Sequence, residues 1–170
     1  MNKLLLATTL LVSSFSTVAA DQQCFSDKYE AYVDASVQWY QDLVVLTSKQ
    51  YPNLEEVGNW FLDGRKNHFE LNRQAVNYYL ENDPTKIATE RSVESWLMLE
   101  QADIRALAQR DDELGKAAQA TYQDRQSTPH TQNYDLRSAF ADLLSHPKKI
   151  DAALNKYNSS IKLVEKMDCQ

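Results

Sequence analysis

The chain has 170 residues, 43% of them apolar, with 18 basic and 24 acidic side chains and a net charge of −6. That is enough sequence for one domain with a real core. An acidic chain without a basic stripe is a poor partner for nucleic acid or for an anionic membrane surface, so neither is expected.

Met1 to Ala20 reads as a secretory signal peptide. Lys3 gives the positive start, Leu4 to Val12 the apolar run, and Val18-Ala19-Ala20 the small-residue cleavage site. The short start and small-residue end look bacterial, which places the mature chain in a periplasm or outside the cell. No membrane insertion is expected after cleavage, because no later stretch offers the roughly 20 apolar residues a span needs. Residues 21–170 then form a single all-α domain. Without Lys3 the 18 basic residues become 17 against 24 acidic, a mature net charge of −7.

Two cysteines remain, Cys24 and Cys169. In an oxidising compartment they read as one disulfide that staples the two ends together. Neither lies in a C-x-x-C pair or a cationic cluster, so a redox role is not favoured. Termini held that close call for an even number of long antiparallel helices.

The first helix is expected from Ser26–Asp27, with Asp27 and Glu30 as a weak capping box, to Gln50. Tyr29, Val33, Val37, Tyr40, Val44 and Thr47 repeat along it with helical period. Tyr51-Pro52 ends it. A second helix is expected from Leu54 to Glu81, capped by Asn53 with Glu56, its stripe running Val57, Phe61, Gly64, His68, Leu71, Ala75 and Tyr78. Gly58 and Gly64 suggest either a close neighbour or a kink.

Pro84 to Gln126 is the stretch around which the rest is organised. Asp83 can cap it and Pro84 suits a first helical position. Val93, Leu97, Ile104, Leu107, Leu114 and Ala118 alternate in steps of four and three, with Glu100 and Asp111 on the same seam. Unbroken, such a helix would be roughly 64 Å long, so a bend or stop is expected near Asp111–Asp112 or Gly115. Ser127 to Asn133 is a polar loop. A short helix from Leu136 to Leu144 follows, and His146-Pro147 starts a last one, to about Asp168, with Ile150, Leu154, Tyr157, Ile161 and Val164 inside. The fold class is therefore all-α: an antiparallel helix bundle of four long helical segments, five or six helices once Pro147 and Gly115 split two of them, with the termini tied by the disulfide.

Few signatures of chemistry are present. Three glycines leave no phosphate-cradling loop, and no H-E-x-x-H, Glu-x-x-His or C-x-x-C-H occurs. No catalytic residue, metal ligand set or cofactor is expected. His68, Glu100 and Asp111 are candidate buried polar groups, with Arg73, Arg91 or Arg137 as partners for the two carboxylates. His130 and His146 suit loop and helix-start positions. Trp60 and Tyr79 are candidate exposed aromatics of the kind protein interfaces use, and with His130 and Asn133 of the polar loop they form a candidate interaction site.

The composition points to a non-enzymatic protein that binds another periplasmic or extracellular protein, as an inhibitor, immunity or adaptor type. In kind, though in no motif, it is similar to some immunity proteins against periplasmic toxins. The alternative is a small-molecule or cofactor carrier with its ligand between helices near His68.

Overall fold

A computed structural model describes residues 15–169, with side chains from residue 21 onward. The expected signal peptide lies outside the described residues apart from the backbone of 15–20. Among the described residues there are six α-helices and no strand: α1 (Phe15–Gln50), α2 (Glu55–Asn82), α3 (Gln101–Leu107), α4 (Glu113–Gln126), α5 (Asn133–Leu144) and α6 (Pro147–Glu165). Cys24 and Cys169 form the expected disulfide, with their Cα atoms 5.6 Å apart.

α1 ends at Gln50 as expected but does not begin at Ser26–Asp27. Those two residues lie inside the helix. Ser26 Oγ donates to Asn77 Oδ1 on α2 instead of capping, and Gln23 bonds Asp27 one turn on. Nor does Asn53 cap α2. It sits in a 3-10 turn, Pro52–Leu54, and Leu54 precedes the helix with no side-chain cap.

The largest departure is the central stretch. Its break near Asp111–Asp112 is present, but residues 84–100 are not helical beyond two single turns, Pro84–Lys86 and Val93–Ser95. In a straight helix Ile87 and Trp96 would stand roughly 13 Å apart. Here the Ala88 N–H donates to the Trp96 carbonyl at 2.9 Å, folding the segment back on itself. Ile87, Val93 and Trp96 thereby enter one cluster with Tyr29, Val33, Phe69, Val76, Leu80 and Val164. The Trp96 ring stacks on Tyr29 at 6.0 Å and meets Phe25 edge-on at 5.7 Å. Its Nε1–H donates to the Arg91 carbonyl. Burial of these side chains outweighs the modest helical propensity of the segment, as tertiary packing commonly does.

α3 begins where the seam predicted a helix interior. Glu100 is its N-cap, in a reciprocal capping box with Asp103. Asp112 caps α4 by accepting the Gly115 N–H at 2.9 Å. Gly115 has no alternative there, because a Cβ would stand 2.0 Å from the Arg110 carbonyl oxygen.

α1 packs on α2 and α6, α2 also on α4, α4 on α3, and α5 on α6. A second cluster joins Leu43, Val44, Leu54 and Val57 to Leu136, Phe140, Leu143 and Ile150. A third joins Leu71 and Ala75 of α2 to Ile104, Leu107, Leu114 and Ala118. The seam residues of the central stretch are thus shared between the first and third clusters.

Candidate functional site

Phe61, Gly64, Arg65 and His68 follow one another at helical spacing and share a face of α2. Opposite them, α4 presents Thr121, Asp124 and Arg125. Two bonds fix the helices across this face. Thr121 Oγ1 donates to the Asn67 carbonyl at 3.0 Å, and Asn67 Nδ2 donates to Asp124 Oδ2 at 2.7 Å. Between the helices lies a cleft of about 360 Å³, lined by these residues with Trp60, Asp63 and Ser127 at its edge.

Gly64 opens the cleft. An added Cβ would meet only Asp124 Oδ2, at 4.0 Å. Of the two expectations for this glycine, a close helix is not met at this position, where the nearest atom of α4 leaves a Cβ at ordinary contact distance. Close approach belongs to Gly58, where a Cβ would lie 3.0 Å from Val44 Cγ1.

His68 lies half-buried on the cleft wall, its ring edge-on to Phe69 at 5.5 Å. Burial pushes its pKa down to about 4, and the nearby positive charges of Arg65 and Arg125 act in the same direction. At neutral pH it is an uncharged imidazole. Asn72 Nδ2 stands 3.4 Å from its Nε2. An amide nitrogen can only donate, so Nε2 accepts and Nδ1 carries the proton. The Arg65 guanidinium lies over Phe61 and Tyr40, 5.1 and 5.5 Å from the ring centres. Arg125 is exposed and reaches Gln101 Oε1 at 3.4 Å.

The other candidates divide between two places. Trp60 and His130 come together, ring centres 5.8 Å apart, and Glu56 Oε1 stands 3.8 Å from His130 Nε2. The Asn133 N–H donates to the His130 carbonyl, and the Gln132 N–H to His130 Nδ1. The polar loop is therefore docked on the rim of the cleft. Tyr79 lies 19 residues further along α2, roughly 28 Å away. It is half-buried against Tyr78, so Trp60 and Tyr79 do not share a surface.

Glu100 and Asp111 are both exposed, which corrects their expected core-facing position. The reason is the break-up of the central helix: Glu100 caps α3, and Asp111 lies in the α3–α4 connection. Two of the three arginines expected beside them are engaged elsewhere, Arg73 with Asp34 and Glu70, Arg91 with Glu90. Among the described residues no group of three His, Cys, Asp or Glu side chains is placed to hold a metal ion.

No family model, curated protein or solved structure matches the chain. Whatever is inferred about its role therefore rests on its own residues. Of the cleft, periodicity alone marked Phe61, Gly64 and His68. Arg65, Thr121, Asp124 and Arg125 carried no such mark, although the Phe61–Arg65 and Gly64–His68 intervals already place those pairs on one helical face.

Proposed function

We propose that the protein is a non-enzymatic carrier in the periplasm or outside the cell, holding a small organic ligand in the cleft between α2 and α4 beside His68. The observation that carries this reading is Gly64. A glycine in a helix interior costs about 1 kcal/mol relative to alanine. At Gly58 and Gly115 crowding explains the glycine. At Gly64 there is no such crowding: a Cβ would make one ordinary contact, with Asp124 Oδ2 at 4.0 Å, on the wall of the cleft. The cleft's volume, about 360 Å³, falls in the range of small-molecule sites, roughly 300–1,000 Å³. Its lining sets the Trp60 and Phe61 rings against a mostly polar remainder, Asp63, Arg65, His68, Thr121, Asp124, Arg125 and Ser127, which suits a polar ligand with an apolar body.

The carrier scaffold in this proposal is an antiparallel bundle. Contacts across α1 and α2 pair Gln22 with Leu80, Ser26 with Asn77, Asp34 with Arg73, and Val44 with Gly58, a steadily opposed register. The disulfide favours an oxidising compartment, in keeping with an N-terminal signal peptide.

A second reading, docking of another protein, is supported by Trp60, which is 37% exposed at the rim, and by Tyr134, which is 79% exposed at the start of α5.

Native mass spectrometry of protein purified from its own host tests the carrier reading, with Gly64→Leu as control. The expected result is a bound mass on the wild type that the folded variant lacks. Wild type and variant both at the apo mass would overturn it. In that case, loss on Trp60→Ala of a cross-linked protein partner would support the second reading.

A further inference from the structure

We infer that the ligand of the cleft is an organic oxyanion, a carboxylate or a phosphate carried on a flat apolar body. The inference rests on the carrier reading and names the chemistry of the same site.

Four charged side chains line the cleft, Asp63, Arg65, Asp124 and Arg125. The two acids are already engaged. Asp63 has Lys66 at 3.8 Å, and Asp124 accepts from Asn67. Arg125 likewise bonds a neutral amide, Gln101, and the Arg65 guanidinium lies over aromatic rings. Among the described residues, no carboxylate lies within the 4.0 Å ion-pair distance of Arg65 or Arg125. Arg65 is half-buried, lies over two aromatic rings and lines the cleft, so a ligand there has a partly desolvated guanidinium within its walls.

A guanidinium presents a planar fork of donors that matches the two oxygens of a carboxylate or phosphate. The adjacent imidazole adds a donor without adding charge, since its Nε2 is taken by Asn72 and Nδ1–H remains. A neutral donor beside two cations serves an anion better than a third cation, which would repel both arginines in the empty state. Trp60 and Phe61 supply the apolar wall. A cationic ligand would meet two arginines that have no ion pair, and a neutral one would cover them without compensating their charge.

The test is isothermal titration of the oxidised protein with four probes of one shape: benzoate, phenyl phosphate, benzamide and benzylamine. Benzoate or phenyl phosphate is expected to bind at least tenfold more tightly than benzamide and benzylamine, and the stronger of the two identifies the oxyanion. Arg125→Gln is expected to weaken that anion roughly tenfold, the size typical of a lost charge-assisted bond. It is the variant of choice because Arg125 is exposed and its loss does not reach the core. Gly64→Leu should abolish binding. Equal or tighter binding of benzamide or benzylamine would overturn the oxyanion inference, and so would an Arg125→Gln variant that binds the anions unchanged. If Gly64→Leu still abolished binding in those cases, the carrier reading would stand without it. Binding of none of the four would also overturn the inference, and the native mass would then decide the carrier reading separately.

Discussion

Val44 Cγ1 stands 3.0 Å from the point where a Cβ on Gly58 would sit. Val44 is buried in the second cluster and β-branched, so it yields little. Gly58→Ala gains about 1 kcal/mol of helix propensity, but overpacking of this kind costs roughly 1–3 kcal/mol. The expected net result is a loss of about 1 kcal/mol, read as a lower urea midpoint at unchanged slope. Gly64→Ala is the counterpart. With only an ordinary contact ahead of it, Asp124 Oδ2 at 4.0 Å, that variant is expected to gain about 0.5–1 kcal/mol in the same measurement.

Trp96 anchors the irregular segment between α2 and α3. It is 2% exposed and touches both Tyr29 and Phe25. Trp96→Ala is expected to cost about 3–5 kcal/mol. Because the segment has little regular backbone structure of its own, hydrogen exchange should show residues 87–96 opening first in the variant, while α4 keeps its protection. Uniform loss of protection in both regions would instead mean that the segment is not held independently by this ring.

Those two cases show what the amino-acid sequence discloses and what it withholds. α2, α5 and α6 could be read from periodicity and proline, because those signals are local, whereas the capping residues read for α2 and α5 do not cap. The break near Asp112 was legible for the same reason. Residues 84–100 were not. Val93 and Leu97 keep helical spacing, but Trp96 and Ile87 are drawn into a cluster whose other members come from α1, α2 and α6. That attraction is a long-range one and leaves no trace in a window of a dozen residues. A local signal did exist at Glu100-x-x-Asp103, which is a helix start, but the seam placed Glu100 in a helix interior. The cleft divides in the same way. Its α2 half follows from spacing, whereas its α4 half depends on a helix pairing that only the folded chain supplies.

His68 makes a prediction about acid. Its folded pKa is about 4, below its ordinary 6.5. Between those values the unfolded chain holds a proton that the folded one does not. Its contribution to stability is therefore complete above about pH 6.5 and is lost as the pH falls toward 4. The loss is on the order of 2 kcal/mol, given partial exposure. Denaturation of wild type and His68→Gln at pH 7 and pH 4 checks this. The variant should show the smaller drop, the carboxylates contributing equally to both proteins. Equal drops would mean that the imidazole stays well solvated.

The Cys24–Cys169 bond spans 145 residues. A crosslink over so long a loop restricts the unfolded chain strongly, and removing one from a domain of this size typically costs about 2–5 kcal/mol. Reduction with dithiothreitol, or the Cys24→Ser, Cys169→Ser double variant, is expected to lower the midpoint by that amount while leaving the helical circular dichroism at 20 °C largely intact. An unchanged midpoint would show that helix packing alone holds the two ends together.

Closure of the chain at Cys24 and Cys169 also makes the oxidised protein a covalent ring for traffic through narrow pores. Tension applied beyond either cysteine is borne by the sulfur–sulfur bond and never reaches α2 through α5. A translocase or unfoldase that threads polypeptide in single file can pass this chain before oxidation and stalls on it afterwards. Where a single-file pore lies on a chain's route, a bond of this kind can form only after that step, and from then on it bars the return.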